Sequence, residues 1–334
     1  MAHHGNNNLF RKIGKGHCGS VWAPDCTGKA SAFKRADGLT GRSIENDSNM
    51  HQRIEHAFIV SQVEHPSRFA QLCILQHRRL ISGKDTIWWR SHQSMFPAQF
   101  EACDTLETER ILPLERRTRE MLINKFCHPQ IKDTIKASRD DEDCLVRPYL
   151  GRRTHGAGSR FFTLRNKPLH LNQMLELDLP VIEYAHAMAD ALAIIYWRAQ
   201  VDARDIEFVL APARPDQISP SAIFQSAEMG PHAMWILDFD CVRSISMDAA
   251  GVNEAATAFF EANDPFYPRP GSDDEDDRKL WGVFVQRFLQ SSRMILGESS
   301  NLPAMLIKRL EEMGELRRRL IGLSKRVGDF TACE

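Results

Sequence analysis

The stretch that most restricts what this chain can fold into runs from Pro180 to Pro212, where PVIEYAHAMADALAIIYWRA passes directly into QVDARDIEFVLAP. Pro180 suits the first turn of a helix, and Ile182, Ala185, Met188, Ala189, Leu192 and Tyr196 recur at helical spacing, so one face must be buried. The helix then gives way to an acid-rich turn, Asp202, Asp205 and Glu207, and an apolar strand, Phe208 to Leu210. A second apolar strand, Met234 to Leu237, ends in Asp238-Phe239-Asp240. A long proline-containing insertion lies in the hairpin that joins the two strands, and if Glu207 serves as a metal ligand its carboxylate must point toward Asp238.

Such a chain needs a substantial core, and 334 residues with 43% apolar content can supply one or two. The formal net charge of -1 gives no reason to expect nucleic-acid or membrane binding. No apolar run is long enough to span a bilayer, and the polar N-terminus lacks the apolar core of a signal peptide. An intracellular location, cytoplasmic or nuclear, is therefore expected. The eight cysteines show no C-x-x-C pair, so neither a structural zinc nor a disulfide framework is expected.

Near the start, KIGKGHCGSVWAPDCTGKASAFKR places Gly14, Gly16, Gly19 and Val21 ahead of a strand, a hairpin at Pro24 to Lys29 and a second strand, Ala30 to Lys34. Glycine lets backbone N–H groups approach phosphate oxygens, and Lys34 stands where it can reach them. The amphipathic helix expected over Ser43 to Val63 offers Glu45 or Asp47 as the acid to pair with Lys34, although acids at a helix start also suit the macrodipole. QLCILQHRRLI and DTIWWRSH read as strands, and PLERRTREMLINKFC as an amphipathic helix within an insertion spanning 84–140. CLVRPYLG reads as the strand and crossover that end an N-terminal unit at residue 150.

The order of glycine loop, lysine, acid-bearing helix, hinge, long helix, acidic loop and D-F-x follows that of protein kinases. The expected fold is therefore α+β and two-lobed, with a small β-rich N-terminal lobe over 1–150 and a mostly helical lobe over 151–334. In that frame Gly14, Gly16, Gly19 and Val21 cover ATP and Lys34 holds its phosphates. Glu207 and Asp238 bind Mg²⁺, and Asp202 or Asp205 faces the acceptor hydroxyl. Glu207→Gln is then expected to weaken metal-dependent nucleotide binding with little effect on metal-free stability. The alternative is a structural Glu207, capping a turn or paired with an arginine such as Arg204.

Three departures keep a second function open. The histidine and arginine of H-R-D are out of register, glutamate stands where asparagine is usual, and no A-P-E follows. A degenerate kinase-like module that works through protein partners is the other expectation.

The phrases NDSNMHQRIEHAF, ERILPLERRTREMLI, CLVRPYLGRR, WILDFDCVR and NDPFYPRP resemble a family of uncharacterised proteins of filamentous fungi, a domain of unknown function sometimes labelled zinc-finger-like. Phrases of this kind cover most of residues 43 to 285. The resemblance implies identity without an established activity. GSDDEDDRK reads as a solvated run entering a helix, and the C-terminal helix turns Leu306, Leu310, Met313 and Leu316 inward.

Overall fold

The computed structural model describes residues 9–25, 31–69, 72–154, 161–214, 223–261 and 265–331. The turn expected between the first hairpin strands, parts of the basic loop after Gly151 and of the proline-containing insertion, and the first residues of NDPFYPRP lie outside these ranges. The fold is α+β, with a β-rich N-terminal region and a helical C-terminal region.

Among the described residues, ten strands form two sheets. They are β1 (Phe10–Lys15), β2 (Ser20–Pro24), β3 (Ser31–Arg35), β4 (Cys73–Ile74), β5 (His77–Ile81), β6 (Thr105–Glu109), β7 (Val146–Tyr149), β8 (Lys167–His170), β9 (Glu207–Ala211) and β10 (Ala233–Leu237). The first sheet has the antiparallel order β1-β2-β3-β6-β5, and the second the mixed order β4-β10-β9-β7-β8. The hairpin expected from the acidic turn is β9–β10, whose register sets Trp235 opposite Val209 and Leu237 opposite Glu207.

The helices are α1 (Ile44–Glu64), α2 (Pro66–Phe69), α3 (Thr86–His92), α4 (Arg116–Phe126), α5 (Lys132–Ala137), α6 (Leu171–Glu176), α7 (Val181–Ala193), α8 (Ala249–Glu261), α9 (Glu275–Leu296) and α10 (Leu302–Thr331). Helix α1 begins where Ser43 accepts from the Asn46 amide, and Ile54, Ala57 and Phe58 carry its inner face into the main core. Helix α7 is buried on nearly all sides and ends in a π-helical turn over 194–198. Arg287 of α9 grips its Asp190 through contacts of 2.6–3.0 Å. The acidic run before α9 supplies its cap, since Asp274 accepts from the amides of Asp276 and Asp277.

Several local expectations are corrected. DTIWWRSH is the helix α3, because Asp85 accepts from the amides of Ile87 and Trp88, and this cap outweighs the strand preference of adjacent tryptophans. Trp88 and Trp89 pack with Phe10, Trp22 and Phe33 beside the first sheet. QLCILQHRRLI divides, β4 pairing in parallel with β10 and β5 joining the first sheet. The last strand of the first sheet in chain order is β6, which sequence periodicity missed, and β7 belongs to the second sheet. Leu122, Ile123 and Phe126 of α4 enter the main core, as do Ile54, Ala57 and Phe58 of α1. The chain passes from the first sheet to the second between β6 and β7, over a stretch that contains α4 and α5. Val63, Ile182 and Leu316 are exposed, each lying at the edge of a stripe whose other members are covered.

Candidate functional site

A cavity of about 630 Å³ lies between the two sheets, within the size range of small-molecule sites. Its apolar walls come from Val21 and Ala32 on the first sheet and from Leu145 and Leu237 on the second, joined along the sheet-to-sheet crossing by Ile111 and Pro113. Charged groups line it as well.

At their centre is Lys34 of β3, whose ammonium donates to Asp47 Oδ2 at 2.6 Å and to Asp238 Oδ1 at 2.7 Å. Asp47 is reached because α1 starts beside β3. Glu45, in the same first turn, is exposed and is not on the cavity wall. Asp47 uses its second oxygen to accept from the Phe239 amide at 3.2 Å, which fixes the turn that presents Asp238. Burial opposes the Lys34 charge, but attraction to Asp238 and Asp47 prevails and holds the ammonium's pKa well above its ordinary value. Burial likewise pushes the Asp238 carboxyl up, and the Lys34 charge and hydrogen bond bring it below the usual range. Asp240 moves the other way, raised by burial and by the neighbouring Asp238 charge.

The glycine-bearing turn spans 16–19, closed by a bond from the Gly16 amide to the Gly19 carbonyl at 2.8 Å. Its glycines have different grounds. A Cβ on Gly19 would come within 1.8 Å of the Arg35 carbonyl oxygen, so chain packing alone excludes a side chain there. A Cβ on Gly16 would meet nothing within 4 Å, and one on Gly14 only ordinary contacts with Val21. Gly14, Gly16 and Val21 line the cavity, and Gly19 does not.

The acidic turn separates its members. Asp202 is buried, accepts from the amides of Arg204 and Arg243 at 3.1 and 3.0 Å, and is absent from the cavity wall. Asp205 lines the cavity and accepts from Arg42 at 3.1 Å. Glu207 also lines it, with both oxygens held by Arg147 Nη2 at 2.5 and 2.6 Å. The arginine that pairs with Glu207 is thus Arg147 of β7 rather than Arg204, because β7 runs beside β9 in the sheet. Gln200, Ala203, Asp205 and Asp238 all have left-handed backbones (φ +54 to +65°), each a strained conformation for a residue with a side chain.

Sequence reasoning missed Arg42, Arg147, Asp240 and the β6 residues Leu106 and Thr108, all on the cavity wall. The alternation of threonine with leucine and glutamate in TLETE was the available strand signal. The two arginines carry no local motif.

These features define an α+β protein with a charged cleft between two sheets. Residues 234–300 match a family model, DUF3669, described as a zinc finger protein and a domain of unknown function. The matched segment holds all of β10 but its first residue, together with Asp238, α8 and α9. It contains one cysteine, Cys241, and no histidine, so it cannot itself supply a four-ligand Cys/His zinc site. No curated protein matches the chain. Among the described residues, no helix is long and apolar enough to cross a membrane.

Proposed function

We propose that this chain has a protein-kinase-like fold and binds a magnesium nucleotide in the cleft. The observation that carries the reading is the Lys34 ammonium held between Asp47 and Asp238 beside a glycine turn. A lysine fixed in this way is a preorganised partner for phosphate oxygens, and Gly14 and Gly16 leave the approach above it open.

Charge supports the divalent cation. Five carboxylates, Asp47, Asp205, Glu207, Asp238 and Asp240, line the cleft around Lys34, Arg42 and Arg147, so acids outnumber bases in this group. A bare polyphosphate would be repelled, whereas a hard cation with oxygen ligands would be welcomed. Asp238 and Asp240 are the carboxylates that would hold it, with Glu207 following if Arg147 releases it. The metal would offset charge on the transferring phosphoryl group. Lys34 orients the phosphates, the apolar walls hold the base, and Asp205 is the acid within the cleft that can accept a proton from an acceptor hydroxyl. Phosphoryl transfer is the reaction class this arrangement serves.

A second reading has its own observation. Asp202, the residue in sequence register for the catalytic acid, spends one oxygen on two backbone amides and the other on the Arg204 guanidinium. If Asp205 cannot replace it, the chain is a nucleotide-binding module acting through protein partners. Titration with a fluorescent ATP analogue with and without Mg²⁺, followed by release of the γ-phosphate, tests both. Binding with turnover that Asp205→Asn abolishes supports transfer, binding without turnover supports the module, and absence of binding removes the nucleotide reading.

A further inference from the structure

We infer that residues 36–43, joining β3 to α1, form a strap that couples the glycine turn to the two acidic turns, with Arg42 as its lock. At one end the strap lies backbone to backbone on the glycine turn. Gly38 donates its amide to the Cys18 carbonyl at 3.2 Å and Leu39 to the His17 carbonyl at 2.8 Å. A Cβ on Gly38 would sit 2.2 Å from the His17 oxygen, so this approach requires glycine. Asp37 adds two bonds, accepting from the Ser20 amide at 2.7 Å and from its hydroxyl at 2.6 Å.

At the other end Arg42 donates to Asp205 at 3.1 Å and to Asp240 at 3.0 Å, and it also donates to the Cys241 sulfur. These partners come from two turns that are 35 residues apart in the chain. Between the two ends, Ser43 caps α1, the helix that delivers Asp47 to Lys34. One eight-residue segment therefore touches the glycine turn and both acidic turns and leads into α1.

The ligand atoms of Asp205, Asp240 and Cys241 lie within 4.8 Å of one another, and the guanidinium is held against all three. A divalent cation drawn to these carboxylates must compete with Arg42. Displacing Arg42 leaves the strap's far end tied through Asn46 of α1, which donates to the Asp240 and Val242 carbonyls, and loosens its grip on the turn over the cavity. Arg42 is thus a positioning residue, and the cation is the signal that unlocks the turn. The coupling deepens the nucleotide reading by naming what gates the same cleft, and it is measurable without nucleotide.

Hydrogen exchange of the full chain, with no nucleotide present, tests it. In Arg42→Ala the amides of Gly16, Ser20, Gly38 and Leu39 exchange roughly tenfold faster while β9, β10 and α7 keep their protection. Millimolar Mn²⁺ accelerates the same amides in the wild type and adds little in Arg42→Ala. Unchanged exchange at these four amides in folded Arg42→Ala overturns the coupling, and equal Mn²⁺ acceleration in both proteins overturns the competition. Should Arg42→Ala fail to fold, Asp205→Asn removes one partner of the lock and must produce the same local pattern at smaller amplitude; wild-type exchange there also overturns the inference. Failure of ATP to bind changes none of these outcomes.

Discussion

Lys34 and Asp238, 204 residues apart in the chain, meet at 2.7 Å, and the same ammonium holds Asp47 at 2.6 Å. Removing it would leave two carboxylates in a cleft with little water to screen them. Lys34→Met should destabilise the fold by about 2–4 kcal/mol at neutral pH, as expected when one partner of a largely buried ion pair is lost. In the native chain the Asp238 carboxyl is held below its ordinary 3.8, so the stability it contributes is present at neutral pH and lost only as pH falls through that lower value. In Lys34→Met the facing carboxylates take up protons more readily, and the deficit should shrink as pH is lowered below about 5. Urea unfolding at several pH values checks this; a deficit that grows toward acid would contradict it.

Glu207→Gln provides a second test, and here the structure reverses the expectation drawn from sequence. With both Glu207 oxygens on Arg147, the substitution replaces a charge-assisted pair by a neutral one. A loss of about 1–3 kcal/mol without metal is expected. Arg147→Met in the same chain should recover part of it. Equal stability of Glu207→Gln and wild type would show that the pair contributes nothing.

How much of this was legible in the sequence depends on the range of the interaction. The α7 helix, β9 and β10 were readable because period and capping are local, and Lys34, Asp47 and Asp238 stood out because each sits at the edge of such an element. The pairing of Lys34 with Asp47 rather than Glu45 depends on the angle at which α1 leaves Ser43, which no spacing encodes. Arg42 and Arg147 were invisible for a related reason. Their partners lie 163 and 60 residues away, and only the stacking of β7 beside β9 and the path of the strap bring them in. The helix α3 was misread because its aromatic content argued for a strand more strongly than one aspartate argued for a cap.

His51, one turn beyond Asp47 on α1, packs its ring 4.8 Å from that of Phe239 and bonds to the Leu75 carbonyl. Burial lowers its pKa from 6.5 to about 4. A base with a lowered folded value is neutral in the native state, so its stability contribution is present above pH 6.5 and is lost as pH falls from there toward 4. The slope is at most about 1.4 kcal/mol per pH unit. His51→Gln keeps a donor for Leu75 and should flatten the stability profile relative to wild type in that window. Parallel profiles would show that His51 does not stay neutral in the fold.

Asp202 and Asp205 should separate cleanly by what they damage. Asp202→Ala leaves two part-buried amides and the Arg204 guanidinium without their acceptor and should lower stability by about 1–3 kcal/mol. Asp205→Asn, on a half-exposed side chain, should change stability little while weakening the response to divalent cation. Thermal melts of both variants with and without Mg²⁺ decide it; the reverse pattern would move the cleft acid back to Asp202.

The central claim is that the cleft around Lys34 is a magnesium-nucleotide site, and the most direct measurement is the melting temperature of the wild type and Lys34→Met against ATP with and without Mg²⁺. Ligand at a hundred times its dissociation constant stabilises a fold by about 2.7 kcal/mol. The wild type should therefore show a clear rise that needs both ATP and Mg²⁺ and that Lys34→Met abolishes, whereas a folded wild type that does not move at millimolar Mg-ATP, or that moves equally in Lys34→Met, would contradict the claim.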